Sequence, residues 1–81
     1  MKLTIVSPEK IEYEGEATSV TVPGTKGAFE VLDNHAPIIS SLQNGVVTVR
    51  TNEEEQTFQV RSGFIEVARN VVSICVEMTE Q

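Results

Sequence analysis

The strongest constraint on this chain is a hydrophobic period of two that never gives way to the helical period of 3.6. Lys2-Leu3-Thr4-Ile5-Val6-Ser7 places Leu3 and Ile5 on one face before Pro8 stops the run. Lys10-Ile11-Glu12-Tyr13-Glu14 alternates again, setting Ile11 and Tyr13 together opposite acids, and Gly15 ends it. Ala17-Thr18-Ser19-Val20-Thr21-Val22 is β-branched, with Val20 and Val22 expected inward. In Gln56-Thr57-Phe58-Gln59-Val60-Arg61, Phe58 and Val60 are expected inward, and Ser62-Gly63 is expected to turn the chain. Phe64-Ile65-Glu66-Val67-Ala68 and Val71 through Glu77 flank Arg69-Asn70, which reads as a final hairpin. No window repeats apolar residues at i, i+3 and i+4. Short alternating strands with frequent turns predict an all-β fold: a small antiparallel β-sandwich or flattened barrel, one domain over residues 1–81.

The centre of the chain is a built loop. Proline has a fixed φ and no N–H, so Pro23 and Pro37 both argue against central strand positions. Between them lie a turn-rich segment, Pro23-Gly24-Thr25-Lys26-Gly27, a short apolar strand from Phe29 to Leu32, and a second turn, Asp33-Asn34-His35-Ala36-Pro37. Ile38 to Leu42 reads as a strand. Asn44-Gly45 is the strongest turn dipeptide, Val46 to Arg50 runs out of it, and Thr51-Asn52-Glu53-Glu54-Glu55 makes a polar hairpin tip. Ile38-Ile39, Val46-Val47 and Val71 to Val76 are apolar on both faces. A sandwich strand with one solvated face alternates, so the second face is expected to be covered by a partner chain, by a closed barrel end or by a loop. The last residues, Met78 to Gln81, are expected to fray.

Composition narrows the function. Six Lys and Arg against twelve Asp and Glu give a net charge of −6, which opposes phosphate-driven nucleic-acid binding and adhesion to anionic lipid. No run approaches the ~20 apolar residues of a membrane helix. No apolar signal segment follows Met1-Lys2, so a cytoplasmic protein without direct membrane insertion is expected. Cys75 is the sole cysteine and is expected to be a small buried hydrophobe. His35 with Asp33 and Asn34 has the residue types of a base and its orienter, but no nucleophile accompanies them. Gly24-Thr25-Lys26-Gly27 lacks the spacing of a phosphate loop. One His and one Cys do not make a zinc site, and the carboxylates lack the spacing of a calcium loop. No catalytic, cofactor or metal site is expected.

The order Val22-Pro23-Gly24, Lys26-Gly27-Ala28-Phe29-Glu30-Val31-Leu32, then Asn34-His35-Ala36-Pro37 resembles the epsilon subunit of F-type ATP synthases. Leu3-Thr4-Ile5-Val6-Ser7-Pro8-Glu9, Gly45-Val46-Val47-Thr48-Val49 and Ser62-Gly63-Phe64-Ile65-Glu66-Val67 extend the resemblance over nearly the whole chain. It implies the N-terminal β-sandwich of a non-catalytic rotor subunit in the central stalk, docked on the gamma subunit and the c-ring. The implied location is peripheral, on the cytoplasmic face of the bacterial inner membrane. The resemblance assigns Thr25, Lys26, Gly27, Ala28, Phe29 and Glu30 to the c-ring-facing loop. It assigns Ser7, Pro8, Glu12, Tyr13, His35, Ala36 and Pro37 to the gamma-facing surface. Two positions depart from the family: Glu30 stands where Gly is usual, and Asp33 where Pro is usual. Glu30 is expected to offer its charge to a basic residue of the ring. The helical hairpin that usually follows is not in this sequence, so a naturally short chain without helix-based inhibition is expected, a fragment of a longer protein being the other reading. The competing function is a β-sandwich adaptor or ligand-binding module unrelated to the synthase.

Overall fold

The computed structural model describes residues 1–79. Among these residues there are strands and turns but no helix. The strands are β1 (Lys2–Val6), β2 (Ile11–Glu16), β3 (Ser19–Val22), β4 (Phe29–Leu32), β5 (Ile38–Leu42), β6 (Gly45–Arg50), β7 (Glu55–Ala68) and β8 (Val71–Met78). They pair in the order β2-β1-β8-β7-β6-β3-β4, with β5 also on β7. The expected all-β sandwich is present. Its pairing is antiparallel except for β1 and β8, which run parallel.

One strand makes two layers out of this path. The first half of β7, Glu55 to Val60, pairs with β6; the second half, Gly63 to Val67, pairs with β5. The register against β8 slips between Val60 and Ser62, leaving Arg61 as an extra residue. Such a bulge bends and twists a strand. One layer is therefore β2-β1-β8-β7-β5, and the other is β4-β3-β6 with the start of β7. The shortest dimension, 19 Å, fits two sheets about 10 Å apart with their outer side chains. Leu3, Ile5, Ile65, Val72 and Ile74 from the first layer meet Val20, Val22, Val31, Val47 and Val49 from the second.

The bulge corrects the reading of Ser62-Gly63 as a turn: both lie within continuous strand. Gly63 is required there for space. A Cβ at Gly63 would overlap the carbonyl oxygen of Cys75 and sit 3.0 Å from the Cα of Val76. Backbone on the neighbouring strand cannot yield without disturbing the β7–β8 pairing. Gly63→Ala is expected to cost about 1–3 kcal/mol, read as a lower urea midpoint.

Asn44-Gly45 does turn the chain, between layers rather than within one sheet. β5 and β6 belong to different layers, and the segment carries the chain across, with the Gln43 amide donating to the Pro23 carbonyl at 2.8 Å. Gly45 matters there because a Cβ would stand 2.7 Å from that of Pro23. The expected turn at Arg69-Asn70 is present, both residues taking left-handed φ values of 53° and 61°. So is the tip at Thr51, whose amide donates to the Glu54 carbonyl at 2.9 Å. The expected fraying does not reach Met78, which ends β8 half-buried, or Thr79, whose amide donates to Gln59 O at 3.1 Å. Glu80 and Gln81 lie outside the described residues.

Candidate docking surface

The outer faces of the two layers differ in chemistry. On the β4-β3-β6-β7 layer, Glu30, Thr21, Thr48 and Thr57 line up across the strands, and Leu32 and Val46 are exposed apolar residues. Arg50 ties that face together. Its Nε donates to Glu55 at 3.1 Å, and its Nη1 lies 3.6 Å from Glu30 Oε2. Glu30, the residue set where glycine is usual, thus has a cation of its own chain beside it.

The other outer face carries an apolar row. Register places Ser41 beside Phe64, Phe64 beside Cys75, Cys75 beside Val6, and Val6 beside Ile11. The row crosses all five strands of that layer. Phe64 is 63% exposed, Ile11 57%, and Ile39, in the next row, 75%. A shallow groove runs along one end of the row, lined by Ser7, Pro8, Leu42 and Ser62 together with Phe64 and Cys75.

Three features of this row escaped sequence patterning. Cys75 is exposed rather than buried, because Ile74 and Val76 on either side take the inward positions of β8. Ile11 faces out because the register of β1 on β2 slips between Ile5 and Val6, so Ile11 and Tyr13 separate. Phe64 faces out because Arg61 inserts one residue and moves the inward set from Phe58 and Val60 to Ile65 and Val67. The segments apolar on both faces do not converge on one patch. Ile39 adjoins the row, Val46 lies on the opposite layer, and Val71 sits at the far end of β8.

Of the predicted loop residues, Thr25 to Phe29 adjoin the row at Ser41, while Glu30 lies on the outer face of the other layer. The Thr25 amide donates to the Ser41 carbonyl at 3.1 Å, and their hydroxyls are 2.8 Å apart. The Gly27 amide closes the turn on Gly24 O at 2.9 Å. Lys26 and Ala28 are exposed, Phe29 is half-buried, and all three line a depression shared with Ile39.

The predicted gamma-facing residues do not form one patch. Ser7 and Pro8 line the groove, and Glu12 joins them by accepting the Ser7 hydroxyl at 2.8 Å. Tyr13 turns toward the core edge, where its ring meets Phe58 edge-on at 6.4 Å. His35, Ala36 and Pro37 precede β5 and so lie at the other end of the sheet, roughly 13 Å further along at ~3.3 Å per residue. The His35 Nδ1 contacts the Ala36 carbonyl at 2.7 Å. A carbonyl only accepts, so Nδ1 is the donor in this contact. Asp33 does not orient this ring; it accepts from the Met1 ammonium at 2.5 Å.

This arrangement presents a broad surface rather than an enclosed pocket, and its counterparts are known. The family described as ATP synthase, Delta/Epsilon chain, beta-sandwich domain matches residues 1–81. The ATP synthase epsilon chain of Leptospira borgpetersenii is 44% identical over 77 residues, 95% of this chain and 61% of that one. The epsilon chain of Chlorobium limicola is 39% identical over 77 residues, 94% of this chain and 88% of that one. This chain therefore spans under two thirds of the Leptospira relative and most of the Chlorobium one. Two solved structures share the fold. A chain from the central stalk and c-ring of Tetrahymena thermophila mitochondrial ATP synthase superposes with TM-score 0.81 at 16% identity, over 94% of this chain and 62% of that one. A chain from the Euglena gracilis mitochondrial ATP synthase gives 0.85 at 21% identity, over 91% and 48%.

Proposed function

Because the chain belongs to the delta/epsilon-chain β-sandwich family of ATP synthases, we propose that it works in the rotor's central stalk, held between the gamma subunit and the c-ring. Its role there is mechanical and non-catalytic. Ion flow turns the ring, the ring must carry gamma without slipping, and a domain gripping both stiffens the junction. The complex is membrane-associated, and the domain sits on the cytoplasmic face of a bacterial inner membrane without entering it.

The observation that carries this reading is the apolar row Phe64, Cys75, Val6 and Ile11, which crosses one face of an acidic domain. Apolar patches of this kind mark protein interfaces. A stable interface buries on the order of 1,200–2,000 Å² in total, half from each partner. Half of that is a substantial share of the 5004 Å² surface of this domain. Gamma covers the row and the groove at Ser7, Pro8 and Glu12, with His35, Ala36 and Pro37 as a separate contact at the far end. The ring meets the tip from Thr25 to Phe29. Glu30 contributes less to the ring than its charge suggests, because Arg50 lies beside it.

The test is purification of the tagged chain from detergent-solubilised membranes. Gamma and c subunits are expected in the eluate, and the exposed Cys75 thiol is expected to react with maleimide in the free chain and to be shielded in the complex. Recovery of unrelated proteins without gamma would favour the adaptor reading instead.

A further inference from the structure

The apolar row has carboxylates on both sides. Glu66 follows Phe64 by two residues in β7, and Glu77 follows Cys75 by two in β8. Because β7 and β8 run antiparallel, the two acids fall on opposite sides of the row, each ~6.6 Å away at ~3.3 Å per residue. Register continues the Glu66 side across the layer through Ser73 and Thr4 to Glu14. Glu14, Glu66 and Glu77 are all exposed. Cations stand at the margins of this layer: Lys2 one row beyond Glu14 and Glu66, Lys10 in the turn from β1 to β2, Arg61 at the bulge, and Arg69 in the turn from β7 to β8. Among the described residues, none of them pairs with Glu14, Glu66 or Glu77. The outer face of the other layer is built differently, with Arg50 beside both Glu30 and Glu55.

Taking gamma as the occupant of this face, as above, we propose that the gamma surface covering the row is an apolar strip with lysine or arginine on both sides, facing Glu14 and Glu66 on one side and Glu77 on the other. A partner that covers the row also draws water away from its rim. Carboxylates left there without cations would oppose docking, whereas cations brought by the partner remove that cost. A second copy of this chain does not fit the frame. Row laid on row would set acids against acids, between two chains that each carry a net charge of −6.

The frame and the row do different things. Phe64 and its apolar neighbours supply affinity, because they leave water on docking. Ion pairs at a solvated rim add little to affinity, but they steer the encounter and hold the register. A slip of gamma by one row would bring its cations over Phe64 and Cys75 and leave Glu66 or Glu77 against its apolar strip. Long-range steering is also what salt removes, since the screening length falls from about 10 Å at 0.1 M to about 3 Å at 1 M.

Association kinetics test this. The soluble, gamma-containing part of the synthase, separated from the ring and depleted of this chain, is immobilised on a sensor, and the chain is passed over it at 50 and at about 500 mM NaCl. Association of the parent is expected to slow roughly tenfold between the two salts while dissociation changes little. Glu66→Gln with Glu77→Gln should associate at low salt nearly as slowly as the parent does at high salt, and its own salt dependence should be nearly flat. Glu53→Gln with Glu54→Gln removes the same charge at the β6–β7 hairpin tip and should behave as the parent. All four positions are exposed, so unchanged urea midpoints are expected to accompany these rates. Tight binding of the parent with no salt dependence would overturn the proposal and leave gamma as the occupant. Equal slowing by the hairpin-tip variant would overturn it too, since net charge alone would then explain the rates. No binding at any salt would overturn the gamma reading and this one with it, and self-association of the chain that strengthens with salt would give the row to a second copy.

Discussion

Ile65→Ala is expected to remove about 2–5 kcal/mol of stability. Ile65 is fully buried in the second half of β7, with Ser40 of β5 on one side and Ile74 of β8 on the other. Truncation removes three carbons from a site bounded by paired strands, which collapse poorly around a void. A domain of this size has a total stability of only ~4–12 kcal/mol, so the variant should be partly unfolded under conditions where the parent is folded. Urea unfolding with an unchanged slope and a strongly lowered midpoint is the expected record. A loss below about 1 kcal/mol would mean that the sandwich is not closed by this half of β7.

Phe64→Glu, one residue earlier, should do the opposite. Phe64 is 63% exposed and lies between Ser41 and Cys75 in the apolar row. Glutamate there meets water and open sheet surface, and its neighbour Glu66 already faces the same way, so the urea midpoint should move little. Docking should suffer heavily. A central aromatic anchor at an interface is worth about 2 kcal/mol or more, and a charge left buried in its place adds to the loss. Affinity for gamma is expected to fall by at least about thirtyfold, and the variant should fail to co-purify with gamma. Phe64→Leu, which keeps apolar area, should retain most of the binding. Unchanged affinity in a stable Phe64→Glu chain would move the interface away from this face.

These adjacent residues show how far sequence reading reached. Alternation located the strands, though it broke β7 in two at Ser62-Gly63, and placed Leu3, Ile5, Val20, Val22 and Val60 correctly inside. It failed where a strand carried an extra residue. A period of two has no memory across a bulge, so Arg61 reverses the phase of everything after it in β7, and the slip between Ile5 and Val6 does the same to Ile11. Phe64 and Ile11, at the two ends of the exposed apolar stretch, are such positions, so their outward placement was not legible beforehand. Of the predicted site residues, Thr25 to Phe29 and Ser7, Pro8 and Glu12 lie beside the row, and Glu30 lies on the other layer. Tyr13 is turned toward the core edge, and the His35 turn stands apart.

Asp33 teaches the same lesson at short range. Its place beside His35 and Asn34 suggested an orienter for the imidazole, because neighbours in sequence were the only partners visible. The fold supplies a closer one from 32 positions away, the Met1 ammonium.

The sequence by itself determined that the chain is all-β, roughly where its strands lie, and which family it belongs to, because alternation and turn residues act locally. Only the tertiary structure decided which apolar residues point outward, where β7 passes between layers, and what Asp33 and Glu30 pair with. Those outcomes depend on strand register and on contacts between distant segments, and neither is written in the spacing of residues along the chain.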